Sequence, residues 1–349
     1  MKKSLIALAV LAASGASFAQ VSITGNVIAG FQSSNVPKGA VNSTGVIIPA
    51  NGADASTSGF GVDTAEIVFS AKEDLGGGMK ASAKMGLVDA SRGNVRAAGS
   101  NIGFGPGDTE LGLSGSFGQV TLSTSRGTDY LSGGTAGVGG TFMDGRVFGA
   151  RTATDSVAYS VPVGPVTVGL SYSEKADNLG LGKGTSGVSS DTFGRQAVLE
   201  VGYANGPLVA NAGYLTDIDM DGKNHYRLSA SYDLGIAKLG GGYELQSFGG
   251  AANPAGQAKL TIADLLVGVS VPMGAVTLGA NWAQRQVSET NITTIDGINT
   301  GYGLKASYAL SKRTAVSADY TSWTGRATAT NTIATDKNSV YNLFLSHSF

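Results

Sequence analysis

The chain contains no cysteine, only two histidines (His225 and His347), and no apolar run of the length that a helical membrane span needs, which is roughly 20 residues. Each shortage removes a class of protein. Without cysteine there is no disulfide stapling, so stability must come from a closed hydrogen-bonded sheet or a large core. Two isolated histidines assemble neither a Ser–His pair nor a metal-binding cluster. Charged residues make up 14%, with 24 basic against 25 acidic side chains, so no basic surplus is available to recruit nucleic acid.

What is present is glycine, 53 residues of it, together with an export signal and a repeated alternation. Lys2 and Lys3 precede an apolar stretch from Leu5 to Leu11, and Ser17-Phe18-Ala19 has the small-x-small form of a cleavage site. Residues 1–19 therefore read as a cleaved signal peptide, and 20–349 as one transmembrane β-barrel domain. Some fifteen short segments between Ile23 and Phe349 alternate apolar and polar residues with a period of two. Short turns separate them in pairs, among them Asp74-Leu75-Gly76-Gly77-Gly78, Gly115-Ser116-Phe117-Gly118, Asp233-Leu234-Gly235 and Leu310-Ser311-Lys312. Longer polar connections fall between the pairs. Seven short turns and eight long connections make sixteen strands, and that asymmetry is the pattern of an outer-membrane barrel.

The alternation assigns faces. Tyr226, Leu228, Ala230 and Tyr232 fall on one side, with Arg227, Ser229 and Ser231 on the other; Tyr302, Leu304, Ala306 and Tyr308 oppose Gly303, Lys305 and Ser307. The last strand puts Tyr341, Leu343, Leu345, His347 and Phe349 outward. A slip of one residue would carry Arg227 or Lys305 into hydrocarbon, at about 2–4 kcal/mol near the midplane, so the register is strongly specified. By the same parity Glu66, Lys80, Lys84, Asp108, Glu110, Glu200, Arg227, Lys238, Glu244, Asp264, Arg285, Lys305 and Asp319 face the interior. Tyrosines near strand ends form an interfacial girdle. The reading is an all-β, sixteen-stranded antiparallel transmembrane barrel around water.

Several pieces carry a family likeness: Glu73-Asp74-Leu75-Gly76-Gly77-Gly78-Met79-Lys80-Ala81, Leu113-Ser114-Gly115-Ser116-Phe117-Gly118-Gln119-Val120, Leu310-Ser311-Lys312-Arg313-Thr314 and the terminal Phe349. Here the chain resembles the general diffusion porins of Gram-negative outer membranes, nearest the anion- or weakly selective trimeric group. The resemblance implies a homotrimer, a third long loop folded inward to narrow the channel, and a C-terminal aromatic, Phe349, read by the outer-membrane insertion machinery. That loop is Arg126 to Thr154, with charges at Arg126, Asp129, Asp144, Arg146 and Arg151. Opposed charges across a narrow aqueous passage order water and orient dipolar solutes. In that group arginines on the second and fourth strands line the constriction; the matching positions here carry Glu66 and Asp108, which speaks against anion selectivity.

Two motif-like stretches carry less. Asp217, Asp219, Asp221 and Gly222 start like a calcium loop, but Leu228 stands where the closing Glu belongs, so an acidic surface turn is expected. Gly180-Leu181-Gly182-Lys183-Gly184-Thr185 lacks the spacing of a phosphate loop and reads as an external loop. The expected function is passive diffusion of ions and small hydrophilic solutes through the outer membrane, without cofactor, metal or enzymatic activity. A substrate-specific channel for sugars or organic acids is the alternative, and an adhesin-type barrel stands behind it.

Overall fold

In the computed structural model, described for residues 20–35, 56–89, 105–126, 131–149, 153–175, 195–218, 224–249, 259–289, 297–324 and 337–349, every regular element is a strand. The signal peptide, Asp129, Arg151, Asp219, Asp221 and the 180–185 stretch lie outside these residues. The first half of the chain forms β1 (Gln20–Asn35), β2 (Thr57–Gly76), β3 (Met79–Asp89), β4 (Gly105–Gly115), β5 (Gly118–Arg126), β6 (Ala153–Val163), β7 (Val166–Lys175) and β8 (Gln196–Asn205). The second half forms β9 (Leu208–Asp217), β10 (Asn224–Asp233), β11 (Lys238–Phe248), β12 (Leu260–Met273), β13 (Val276–Glu289), β14 (Gly297–Ala309), β15 (Thr314–Thr324) and β16 (Lys337–Ser348).

All sixteen pair antiparallel with their sequence neighbours, and β16 returns to pair with β1, closing the barrel. At the seam Asn26 stands opposite Ser348 and Asn35 opposite Ser339. The last residue joins the ladder too: Gly25 N–H donates to the Phe349 carbonyl and Phe349 N–H to the Gly25 carbonyl, both at 3.0 Å. Closure matters because unpaired backbone groups in hydrocarbon cost several kcal/mol each, and only a helix or an edgeless sheet avoids that.

The short turns form for local reasons. In Asp74-Leu75-Gly76 and Asp233-Leu234-Gly235 the Asp carboxylate accepts the glycine N–H at 2.9 and 2.8 Å, and the glycine takes φ of 79° and 80°. A side-chain acceptor two residues back and a residue tolerant of positive φ are what such a turn requires. The β14–β15 turn uses Ser311 instead, whose hydroxyl accepts the N–H groups of Arg313 and Thr314.

Alternation holds along the strands as read from the sequence. Leu228, Tyr302, Leu304, Tyr308, Leu343 and Leu345 are exposed, and the residues between them face the other way. The register shifts twice where the sequence gives no warning: Asp63 is an extra residue between β1 and β2, and Gly107-Asp108 together oppose Gly86. Such bulges bend a strand and interrupt its parity.

The described interior is not uniformly polar. Leu266, Ala283, Trp323 and Val340 are buried on the inward side, packed with Leu131, Ala136, Met143, Val147 and Phe148 from the β5–β6 connection. We expect Leu304→Arg, on the exposed face at mid-strand, to destabilise the barrel by about 2–4 kcal/mol. Ser307→Arg, on the opposite face, should cost far less; urea titration of the protein refolded into lipid vesicles reads both.

Candidate functional site

Because the strands are in register, inward side chains of β11–β16 line up in rows that run around the barrel. On the short-turn side lies a charged row of Lys238, Ser270, Gly279, Lys305, Asp319 and Asn342. Next comes a row of Gly240, Gly268, Asn281, Gly303, Thr321 and Val340, and then an apolar row of Gly242, Leu266, Ala283, Gly301 and Trp323. Toward the long connections Glu244, Asp264, Arg285 and Asn299 form a second polar row. Residues 131–149 lie against the two middle rows and touch Gly279 and Lys305 of the first.

That segment is held by named contacts. Asn281, almost completely buried, accepts the Gly139 N–H through Oδ1 at 3.1 Å, and its Nδ2 donates to the carbonyl of Thr141 at 2.8 Å and to Thr141 Oγ1 at 3.1 Å. Lys305 Nζ donates to the Gly140 carbonyl at 3.3 Å, and Asn211 donates to Thr135 Oγ1 from β9. Within the segment Ser132 Oγ accepts the N–H groups of Met143 and Asp144, tying its two limbs together. Met143 and Val147 are fully buried. Burial of an apolar side chain of that size contributes about 1.5–3 kcal/mol.

Arg146 crosses to the wall, donating to Thr321 Oγ1 at 2.8 Å, with its guanidinium 5.3 Å from the centre of the Trp323 ring. Burial pulls its pKa below the ordinary arginine value, while Asp319 and Asp63 pull the other way. It stays protonated, since guanidinium does not release its proton in proteins. Asp319 is itself oriented by Asn342, which Gln32 of β1 contacts in turn.

The other expected interior charges are found mostly in opposite-sign pairs. Lys84 Nζ lies 3.0 Å from Glu110 Oε1, each about a third exposed, a geometry worth at most about 1 kcal/mol. Arg227 Nε lies 2.8 Å from Glu244 Oε2, and His225 Nε2 2.8 Å from the other carboxylate oxygen. Arg285 Nε donates to Asp264 Oδ1 at 2.7 Å and its second nitrogen to Oδ2 at 2.5 Å, a bidentate pair with both partners buried. Glu66 stands opposite Asn26 on the interior parity. Asp108 sits in the bulge, where strand parity alone does not carry over from Glu110. Arg126 pairs through its backbone with Ala153, and Asp144 closes a short bridge with Phe148.

The structure therefore brings Arg146 and Lys305 together around Asp319, sets Asp144 toward Arg285, joins Arg227 with Glu244, and pairs Lys84 with Glu110 across the barrel. Sequence reasoning missed Asn281 and the apolar row. One signal was there: Leu265-Leu266-Val267 and Leu343-Phe344-Leu345 are apolar on both parities, as strands covered on both faces are. Among the described residues no His, Asp or Glu cluster could hold a metal ion.

The chain matches the Gram-negative porin family over residues 5–328. It is 32% identical over 298 residues to outer membrane porin protein 32 of Delftia acidovorans, covering 79% of this chain and 77% of that protein. Among solved structures it resembles the anion-selective porin from Comamonas acidovorans, at 22% identity and a TM-score of 0.65, over 95% of this chain and all of that one. It also resembles the trimer form of OmpT from Vibrio cholerae, at 15% identity and a TM-score of 0.61, over 95% and 99% of the two chains.

Removing one member of the buried Arg285–Asp264 pair should cost about 3–5 kcal/mol, because the other charge is left buried alone. Arg285→Met is the single variant; the double Arg285→Met, Asp264→Leu should recover most of the loss in the same unfolding titration.

Proposed function

This chain belongs to the Gram-negative porin family and forms an outer-membrane diffusion channel, and on that premise we propose how its parts divide the task. A sixteen-stranded barrel is wide enough for an aqueous lumen, where eight strands would be filled by their own side chains. The third connection, 131–149, narrows that lumen from the side of β11–β16 and sets the size limit for solutes. The observation that carries this reading is the segment's anchorage across the inner wall through Asn281, Lys305 and Thr321. The passage that remains runs beside β2–β8.

Ion preference is weak in this reading. Lys84 pairs with Glu110 and Arg227 with Glu244, so neighbouring wall charges largely cancel. Glu66 and Asp108 bias the β2–β4 side toward cations, and Asp144, Arg146 and Lys305 supply mixed charge on the other, while Arg126, Asp129 and Arg151 flank the segment in sequence. Residues 1–19 are the export leader, removed before the barrel closes. Phe349 is the signal that the insertion machinery reads before the residue pairs with Gly25.

The protein assembles as a homotrimer. Eleven of the twelve tyrosines lie on β6–β16, all on the outward parity, and the twelfth, Tyr130, is outside the described residues. Strands β1–β5 carry neither tyrosine nor tryptophan. A lipid-facing surface carries amphipathic aromatics at the headgroup level, so the face without them is the one that other copies cover.

Replacing residues 133–141 by a short Gly-Ser linker should raise single-channel conductance severalfold and admit larger sugars; wild-type conductance would refute the constriction. In planar bilayers under a salt gradient, Glu66→Ala should move the reversal potential toward anions. Leu111→Lys on β4 should abolish trimers on native gels, whereas Leu228→Lys on β10 should leave them intact.

A further inference from the structure

Among the described residues, inward glycines on two parts of the wall differ. On β7 and β9 a methyl group added at Gly169 or Gly213 would meet nothing closer than 3.8 Å, and on β11 the outward Gly241 is equally open. The glycines beneath residues 131–149 are different. A methyl at Gly279 would overlap the Gly139 carbonyl, one at Gly240 the Ala136 carbonyl, and one at Gly303 the Thr141 side chain. At Gly242 it would stand 2.6 Å from a methyl of Leu131 and 3.0 Å from the Ala136 Cβ. None of these four has the positive φ that would itself demand glycine. What they share is that the β5–β6 segment rests directly on their backbone.

Asn281 stands in the middle of this patch. Its register partners are Gly268 on one side and Gly303 on the other, so the side chain rises from a floor without neighbours of its own height. It uses both ends of its carboxamide on the segment, accepting from Gly139 and donating to Thr141. An amide is suited to this, since it offers acceptor and donor in one rigid plane. The seat thus fixes the segment both in depth, through absent side chains, and in place along the wall, through one residue.

We propose that the bore of the channel is set from behind: the glycine floor of β11–β14 determines how far the constriction segment projects into the lumen, and Asn281 is its positioning residue. This rests on the reading that 131–149 narrows the passage. The obstacles at Gly279 and Gly240 are backbone carbonyls, which cannot rotate aside as a long side chain can. A methyl added there pushes the segment toward the channel axis by about an ångström, as overpacking of a close contact does. Solute size selection is then encoded in residues that no solute touches.

The test uses full-length protein reconstituted in liposomes and planar bilayers, with heat-modifiable gel mobility confirming a folded barrel. Gly279→Ala should slow disaccharide entry severalfold relative to monosaccharide entry, while Gly213→Ala, on the open wall, leaves the ratio unchanged. Asn281→Ala only removes contacts, so it serves if Gly279→Ala does not fold. It should raise the disaccharide-to-monosaccharide ratio severalfold, and Asn281→Asp, which keeps the acceptor for the Gly139 N–H, should restore part of the selectivity. Folded variants with the wild-type ratio at both positions would overturn the seat. The 133–141 linker variant separates this from the underlying reading: if it widens the channel while Gly279→Ala and Asn281→Ala change nothing, the seat alone fails, and if it too changes nothing, the constriction fails with it.

Discussion

Everything in this molecule depends on the pairing of β16 with β1. Sixteen strands laid side by side as an open sheet would offer two rows of unsatisfied N–H and C=O groups to hydrocarbon, a cost that no side-chain packing could offset. Bending the sheet until Asn26 faces Ser348 removes both rows at once. The exchange between Gly25 and Phe349 extends that pairing to the last residue of the chain. It also dictates a small residue on β1, since a side chain at Gly25 would occupy the space of the Phe349 ring.

Closure has a second effect. It turns the inner side chains into rings of fixed height, so that chemistry can be sorted by level. On β11–β16 the levels are distinct: charge near the short turns, glycine and amide above it, then leucine, alanine and tryptophan, then the Arg285–Asp264 pair. The β5–β6 segment lies mainly on the two uncharged levels and reaches Gly279 and Lys305 of the charged one, and its buried Met143 and Val147 match the apolar level. Half of the wall thus behaves as the floor of a small protein core, while β2–β8 keep serines and paired charges such as Ser123, Ser156 and Lys84–Glu110.

Strand number, turn positions and facing were legible in the amino-acid order, because a period of two survives whatever packs on either side. Leu304 outward and Lys305 inward follow from that alone. The bulges at Asp63 and Gly107-Asp108 were not legible, since one extra residue leaves no compositional trace. Nor were the partners of individual charges: Glu244 takes both Arg227 and His225 from the neighbouring strand, and only the register decides that. The apolar level escaped for another reason. A rule that labels the inner face polar passes over Leu266 and Trp323, which are inward and dry because another part of the chain covers them.

The seam joins groups 322 positions apart, as the contact between Asn26 and Ser348 shows. Bringing the ends of so long a chain together adds little entropy beyond that of a shorter one, since the cost grows only with the logarithm of length. The difficulty is one of timing. Until β16 exists, β1 is a bare edge, and each newly added strand is another, ready to zip onto any passing polypeptide. An incomplete barrel is therefore adhesive along both margins and apolar across its outer face, and during its assembly the chain depends on being shielded from its own siblings.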